Sequence, residues 1–136
     1  MSSQLKVSDQ SLDNRIRLLV LQGELDRATT PSLAATLNSP WSRHGRGVIV
    51  DLTRVTSVDA TGIGLLRNSQ LRLARVGGCL AIVSDDVCDS KLVTATRSGP
   101  VLDVFHSRAG ALAAVKRRSL LVQPTAVRSL LDVPSG

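Results

Sequence analysis

The residues of this chain best suited to chemistry lie in Val58-Asp59-Ala60-Thr61-Gly62-Ile63-Gly64. An aliphatic run precedes them and a helical pattern follows, so Val58 and Asp59 leave a strand and Thr61 opens a helix. The Thr61 hydroxyl can accept a bond from an orphan amide of that first turn, worth about 1 kcal/mol. Gly62 has no side chain, which would let another molecule come close to the hydroxyl. Helix N-termini favour anions, so the domain would tolerate a phosphate on Thr61. The same dianion would add charge beside Asp59 and penalise burial against a partner. These residues therefore suit a reversible binding switch. On residue types alone a simpler account stands beside it, in which Thr61 is only a cap and Gly62 only a tight turn.

Other chemistries find less support. Gly62-Ile63-Gly64 begins like a dinucleotide loop, but Arg67 occupies the third glycine position and the acidic ribose ligand has no clear candidate. His44 and His106 lack metal-ligand spacing to Cys79 or Cys88, and neither has a nucleophile at a recognised offset. No triad, paired-carboxylate or metal motif is legible, so the expectation is a protein that is not an enzyme and carries no cofactor. Cys79 and Cys88 read as small buried hydrophobes; a redox pair would require Cα atoms within about 7 Å. The basic row Arg67, Asn68, Arg72 and Arg75 lies opposite Leu65, Leu66, Ser69, Leu73 and Val76 on the same helix. It reads either as a solvated face or as a surface that steers an acidic partner towards Thr61.

The elements that must position these groups alternate. Strands are expected near Leu5–Val7, at Arg15–Leu21, Val48–Leu52, Leu80–Val83 and Val104–Phe105, with Gly23-Glu24-Leu25-Asp26 as a turn directly after the second. Helices are expected at Pro31–Asn38, with Thr30 as its cap, from Thr61 to the Gly77-Gly78 stop, at Asp89–Ser98 and at Arg108–Arg117. Strands alternating with helices imply an α/β domain: a mixed central β-sheet flanked by about four α-helices. That domain would cover residues 1–117. Residues 118–136, with Pro124, Pro134 and scattered leucines, form a C-terminal tail of undetermined order.

Composition bounds the function. A chain of 136 residues and 43% hydrophobic content supports one core, built almost wholly from aliphatic side chains because Trp41 and Phe105 are the only aromatics. No run approaches the roughly 18 apolar residues that cross a bilayer, and the start lacks the apolar stretch of a signal peptide. Two cysteines are too few for a secreted disulfide framework, so the cytoplasm is the expected location. The net charge of +6 raises the question of nucleic acid, but aromatic stacking platforms are missing and the arginines are dispersed. An acidic protein partner fits that charge better.

These residues, taken together, resemble the STAS family, named for sulphate transporters and anti-sigma factor antagonists. The likeness rests on Gly23-Glu24-Leu25-Asp26, Val50-Asp51-Leu52 and Asp59-Ala60-Thr61-Gly62 with an apolar helix following, then Gly99 before Val104-Phe105 and the Ala-rich last helix. It spans roughly Leu5 to Lys116. The resemblance implies a cytoplasmic, bacterial phosphoprotein of transcription regulation and stress response, acting by partner switching. Its partner would be an anti-sigma factor that is itself a serine/threonine kinase of the histidine-kinase-like ATPase type. Thr61 would be the phosphorylation site, and Asp26, Asp59, Ala60, Gly62 and Arg67 would contact the partner. The unmodified protein would bind the kinase and release a sigma factor; phosphorylation would break that complex and a phosphatase would restore it. Ala60 stands where many relatives have Ser or Thr, and Thr61 replaces the commoner serine. The family also allows an alternative, a subunit of an ABC-type transport complex contacting its ATPase.

Overall fold

Val48-Ile49-Val50-Asp51-Leu52 runs through the middle of a sheet, buried on both faces, as a continuous apolar run in a parallel strand should be. The computed structural model describes residues 4–12, 15–38, 47–85 and 102–121. In chain order these form β1 (Leu5–Ser11), β2 (Ile16–Leu25), α1 (Thr30–Leu37), β3 (Gly47–Val58), α2 (Ala60–Arg75), β4 (Cys79–Val83), β5 (Val104–Phe105) and α3 (Arg108–Leu121). The sheet order is β1-β2-β3-β4-β5. β1 and β2 are antiparallel and every other pair is parallel, so the sheet is mixed, as expected.

Helices cover both faces. On one, Leu33 and Leu37 of α1 and Ile63, Leu66 and Leu73 of α2 pack on Leu19, Leu21, Val48, Val50, Leu80 and Ile82. On the other, Ala111 and Val115 of α3 pack on Ile16, Leu18, Ile49, Ala81 and Val83. Each leucine or isoleucine removed from water in this way contributes about 1.5–3 kcal/mol. Three helices lie among the described residues; the one expected at Asp89–Ser98 falls outside them, as do His44 and Cys88.

Several boundaries differ from the sequence expectation. β2 does not stop at Leu21 but runs to Leu25, so Gly23-Glu24-Leu25 is strand and the turn begins at Asp26. Two register shifts against β3, between Val20 and Gln22 and between Gly23 and Glu24, let it continue. Gly23 takes φ +120°, and a Cβ there would stand 2.2 Å from the Gln4 carbonyl oxygen, so the bulge requires glycine. β3 likewise continues through polar Thr53–Ser57 because β2 pairs along it as far as Leu25 opposite Val58. Gly77, at φ +81°, closes α2: the Gly78 amide donates to the Leu73 carbonyl at 2.7 Å and the Gly77 amide to Ala74 at 3.2 Å. α3 ends at Leu121 instead of Arg117, so Arg118 is helical and its guanidinium pairs with Asp103; residues 122–136 of the expected tail lie outside the described residues.

Asp51 is the one buried carboxylate of the sheet interior among the described residues, its side chain 2% exposed. It accepts from the Thr53 amide at 2.8 Å, the Thr53 hydroxyl at 2.6 Å and Arg108 Nε at 2.5 Å, which ties the start of α3 to the sheet. Burial works against its charged form, but the Thr53 and Arg108 bonds outweigh it and hold the carboxyl below its ordinary range.

Candidate functional site

The parallel strands β2 and β3 finish side by side, with Leu25 opposite Val58, so the residues that follow them, Asp26 and Asp59, meet at one edge of the sheet. The Asp59 amide donates to the Leu25 carbonyl at 3.1 Å, extending the ladder one step past the strands. α2 then starts at Ala60, which makes Asp59 its N-cap: one carboxylate oxygen accepts from the Gly62 amide at 3.0 Å. The other accepts from the Arg27 amide at 3.3 Å. Asp59 thus stitches the β2–α1 loop to the first turn of α2.

That loop is tied internally as well. Asp26 Oδ1 accepts from the amides of Ala28 at 2.9 Å and Thr29 at 3.2 Å. The buried Thr29 hydroxyl donates to the Glu24 carbonyl at 2.7 Å and accepts from the Asp26 amide at 3.0 Å. Asp26 and Thr29 exchange bonds across a single turn, the local satisfaction that Asx and Thr side chains provide. It also moves the start of α1: Thr29 is the N-cap residue, and Thr30, expected in that place, is the first helical residue with Pro31 after it.

Thr61 is not the cap that the sequence suggested. Two cap-competent side chains stand two residues apart, and the end of β3 selects the earlier one, Asp59. Thr61 falls inside the first turn, exposed, and its hydroxyl engages no other described residue. Gly62 also serves differently from the expectation. It is buried, and a Cβ on it would stand 2.7 Å from Leu25 Cγ and 3.1 Å from the Leu25 carbonyl oxygen, so its bare Cα admits β2 and not an outside molecule.

The remaining site residues separate. Asp26, Asp59, Ala60, Thr61 and Gly62 share the edge; Ala60 is exposed beside Thr61. Arg67 does not join them. Six residues on from Thr61, at 3.6 residues per turn, it projects about 120° round the helix and is half-buried on the flank of the apolar stripe. The arginines in line with Thr61 are Arg72 and Arg75, both exposed and in the last turn, where cations complement the helix dipole. Arg72 donates to Asn38 at the end of α1 and, at 3.2 Å, to the Ser69 hydroxyl. His106, exposed, sets Nδ1 3.2 Å from the Ser84 carbonyl oxygen, a contact apart from this edge.

Leu25, Arg27 and Thr29 hold this site together; Arg27 and Thr29 were not singled out in the sequence, and Leu25 was read only as part of the Gly23–Asp26 turn. Leu25 contributes bulk and a carbonyl, Arg27 an amide, and Thr29 a hydroxyl that looks like any other in a polar turn. Partners distant in sequence, Gly62 and Asp59, reveal the part of Leu25 and Arg27, and the folded turn, with Glu24 and Asp26, that of Thr29.

Comparison with known proteins agrees with this architecture. A family model described as "Mlab, STAS domain" matches residues 9–86. The fold is similar to the crystal structure of an anti-sigma factor antagonist from Mycobacterium paratuberculosis, with a TM-score of 0.67, 18% identity and coverage of 83% of this chain and 95% of that one. It is similar to SpoIIAA in its unphosphorylated form, with a TM-score of 0.65, 19% identity and coverage of 82% and 96%. The phosphorylated form of the Bacillus protein SpoIIAA gives a TM-score of 0.61 at 20% identity, covering 81% of this chain and 99% of that one. No curated protein matches the chain.

Proposed function

Because this chain belongs to the STAS domain family, we propose that it is an anti-sigma factor antagonist whose binding is switched off by phosphorylation at Thr61. The observation that carries the reading is the state of Thr61: exposed in the first turn of α2, with a hydroxyl that no other described residue uses, while Asp59 caps the helix in its place. A modification there costs the fold no capping bond. The existence of phosphorylated and unphosphorylated SpoIIAA structures on the same fold supports the same reading.

The partner is an anti-sigma factor kinase bound in the cytoplasm, which brings Mg-ATP; this chain is its substrate and not an enzyme. Thr61 Oγ1 attacks the γ-phosphorus, the bond to the β,γ-bridging oxygen breaks, ADP leaves, and the hydroxyl proton passes to a base on the kinase. The product carries about −1.5 to −2 charge at pH 7. Amides of the α2 N-terminus moderate that charge within the domain. Against a partner, the dianion beside Asp59 and Asp26 must be desolvated, and binding is lost. A phosphatase reverses the step by hydrolysis.

Affinity capture from cell lysate with wild type, Thr61→Ala and Thr61→Glu as baits, with partners identified by mass spectrometry, tests this. The expected result is a small ATP-binding kinase retained by wild type and Thr61→Ala and lost by Thr61→Glu, with phosphate mapped to Thr61 after incubation with ATP. Equal capture of a transporter ATPase by all three baits would overturn the switch in favour of the transport-complex alternative.

A further inference from the structure

Gly62 and Gly64 lie in the same helix two residues apart, yet only one has a packing reason. A Cβ on Gly62 would collide with Leu25, whereas a Cβ on Gly64 would meet nothing within 4 Å. Glycine in a helix interior is less stable than alanine, so Gly64 weakens α2 without any close packing contact among the described residues in return. Its bare backbone lies on the surface row that begins at Thr61 and continues through Leu65, Asn68, Leu71, Arg72 and Arg75. The last five of these line a groove of about 410 Å³.

The chemistry of that groove is one-sided. Leu71 is 41% exposed and Leu65 is only partly buried, which leaves an apolar floor. α2 contains no Asp or Glu from Ala60 to Arg75, so no carboxylate of its own helix neutralises Arg72 or Arg75. Neither arginine enters an ion pair with a described residue. Arg72 is held in place by Asn38 and Ser69, so less side-chain freedom is lost when it meets an anion.

We infer that this groove is the docking surface for an acidic amphipathic helix of the anti-sigma partner. The helix would approach α2 most closely at Gly64, lay its apolar side on Leu65 and Leu71, and present carboxylates to Arg72 and Arg75. This deepens the proposed function and rests on it for the identity of the partner. It also places the switch at the end of the groove: a phosphate on Thr61 stands one turn from Gly64, where it repels the carboxylates of the incoming helix and obstructs its closest approach.

The test uses the ¹⁵N-labelled full chain and two stapled helical peptides, each with leucines along one side and either glutamates or lysines along the other. The glutamate peptide should shift the amides of Gly64, Asn68, Leu71, Arg72 and Arg75, and bind at least tenfold more tightly than the lysine peptide. Gly64→Leu and the pair Arg72→Glu/Arg75→Glu should each weaken it at least tenfold, while Gly64→Ala raises Tm by a few degrees. Equal binding of the two peptides, shifts confined elsewhere, or wild-type affinity in Gly64→Leu would overturn the inference. The same Gly64→Leu variant, used as bait, separates the two readings. Undiminished capture of the kinase removes the groove and leaves the switch standing. A peptide that seats as described while no kinase is captured retires the anti-sigma identity instead and keeps the acidic-helix surface.

Discussion

Gly62 lies directly against Leu25, the last residue of β2, so closely that a Cβ on it would come within 2.7 Å of Leu25 Cγ. The first turn of α2 and the end of β2 are therefore in backbone-level contact, and the exposed Thr61 is mounted on that junction.

Gly62→Ala should destabilise the fold by about 1–3 kcal/mol, the usual cost of forcing a methyl group into a packed site whose neighbour is a fully buried leucine. Urea denaturation reads this as a lower midpoint with an unchanged slope. A wild-type midpoint would mean that Leu25 yields and the junction is loose.

Asp59 caps α2 and ties down the Arg27 amide at once. Asp59→Ala should cost about 1–2 kcal/mol, and Asp59→Asn, which retains an accepting oxygen, distinctly less. Hydrogen exchange should show the Arg27 and Gly62 amides losing protection together in the alanine variant. Independent behaviour of the two amides would contradict the shared carboxylate.

The buried Asp51 carboxylate makes stability depend on acid. Its folded pKa lies below the ordinary value of 3.8, so its contribution is fully present above that value and disappears as pH falls through the folded one. Urea midpoints from pH 7 down to pH 2 should therefore fall below about pH 4 in wild type, and fall less steeply in Asp51→Asn. Arg108→Met, which leaves Asp51 with its Thr53 bonds alone, should cost about 1–3 kcal/mol at pH 7. An unchanged acid limb in Asp51→Asn would assign the dependence to other carboxylates.

Burial pushes the Cys79 thiol up, with Arg118 opposing and Asp103 reinforcing the shift. In a Cys88→Ser background, Cys79 should react with a thiol reagent at pH 8 only as fast as the protein opens, and at once in denaturant. Because the folded state favours the protonated thiol, its contribution is present below the unfolded pKa and is lost as pH rises through the folded one. Rapid labelling of the native protein would place the thiol at the surface.

Much of this was legible along the chain. Val48–Leu52 and Leu80–Val83 are continuous apolar runs that only a strand covered on both faces accommodates, and they form the sheet centre. The Gly77-Gly78 stop marked the end of α2, and of the apolar face expected at Leu65, Leu66, Ser69, Leu73 and Val76 the middle three are buried, whereas Leu65 is only partly buried and Val76 is exposed. The hydroxyl of Thr61 and its place at the start of that helix were legible too, because residue type and helical period are local properties.

Residue order alone was enough to place the centres of the five strands and of α1, α2 and α3, and to put a threonine near the start of α2. The tertiary structure alone decided what each residue of that junction does. Asp59 and Thr61 are both able to cap; the pairing of Leu25 with Val58 ends β3 one residue before Asp59 and so selects it. Gly62 and Gly64 are the same residue type on the same helix, and only the position of Leu25 makes one obligatory for packing and leaves the other bare. Arg67, read with Asn68, Arg72 and Arg75 as either a solvated face or a steering surface, is half-buried on the flank of the apolar stripe of α2. Periodicity is written in adjacent residues, whereas caps, close approaches and burial depend on atoms that only the folded sheet brings together.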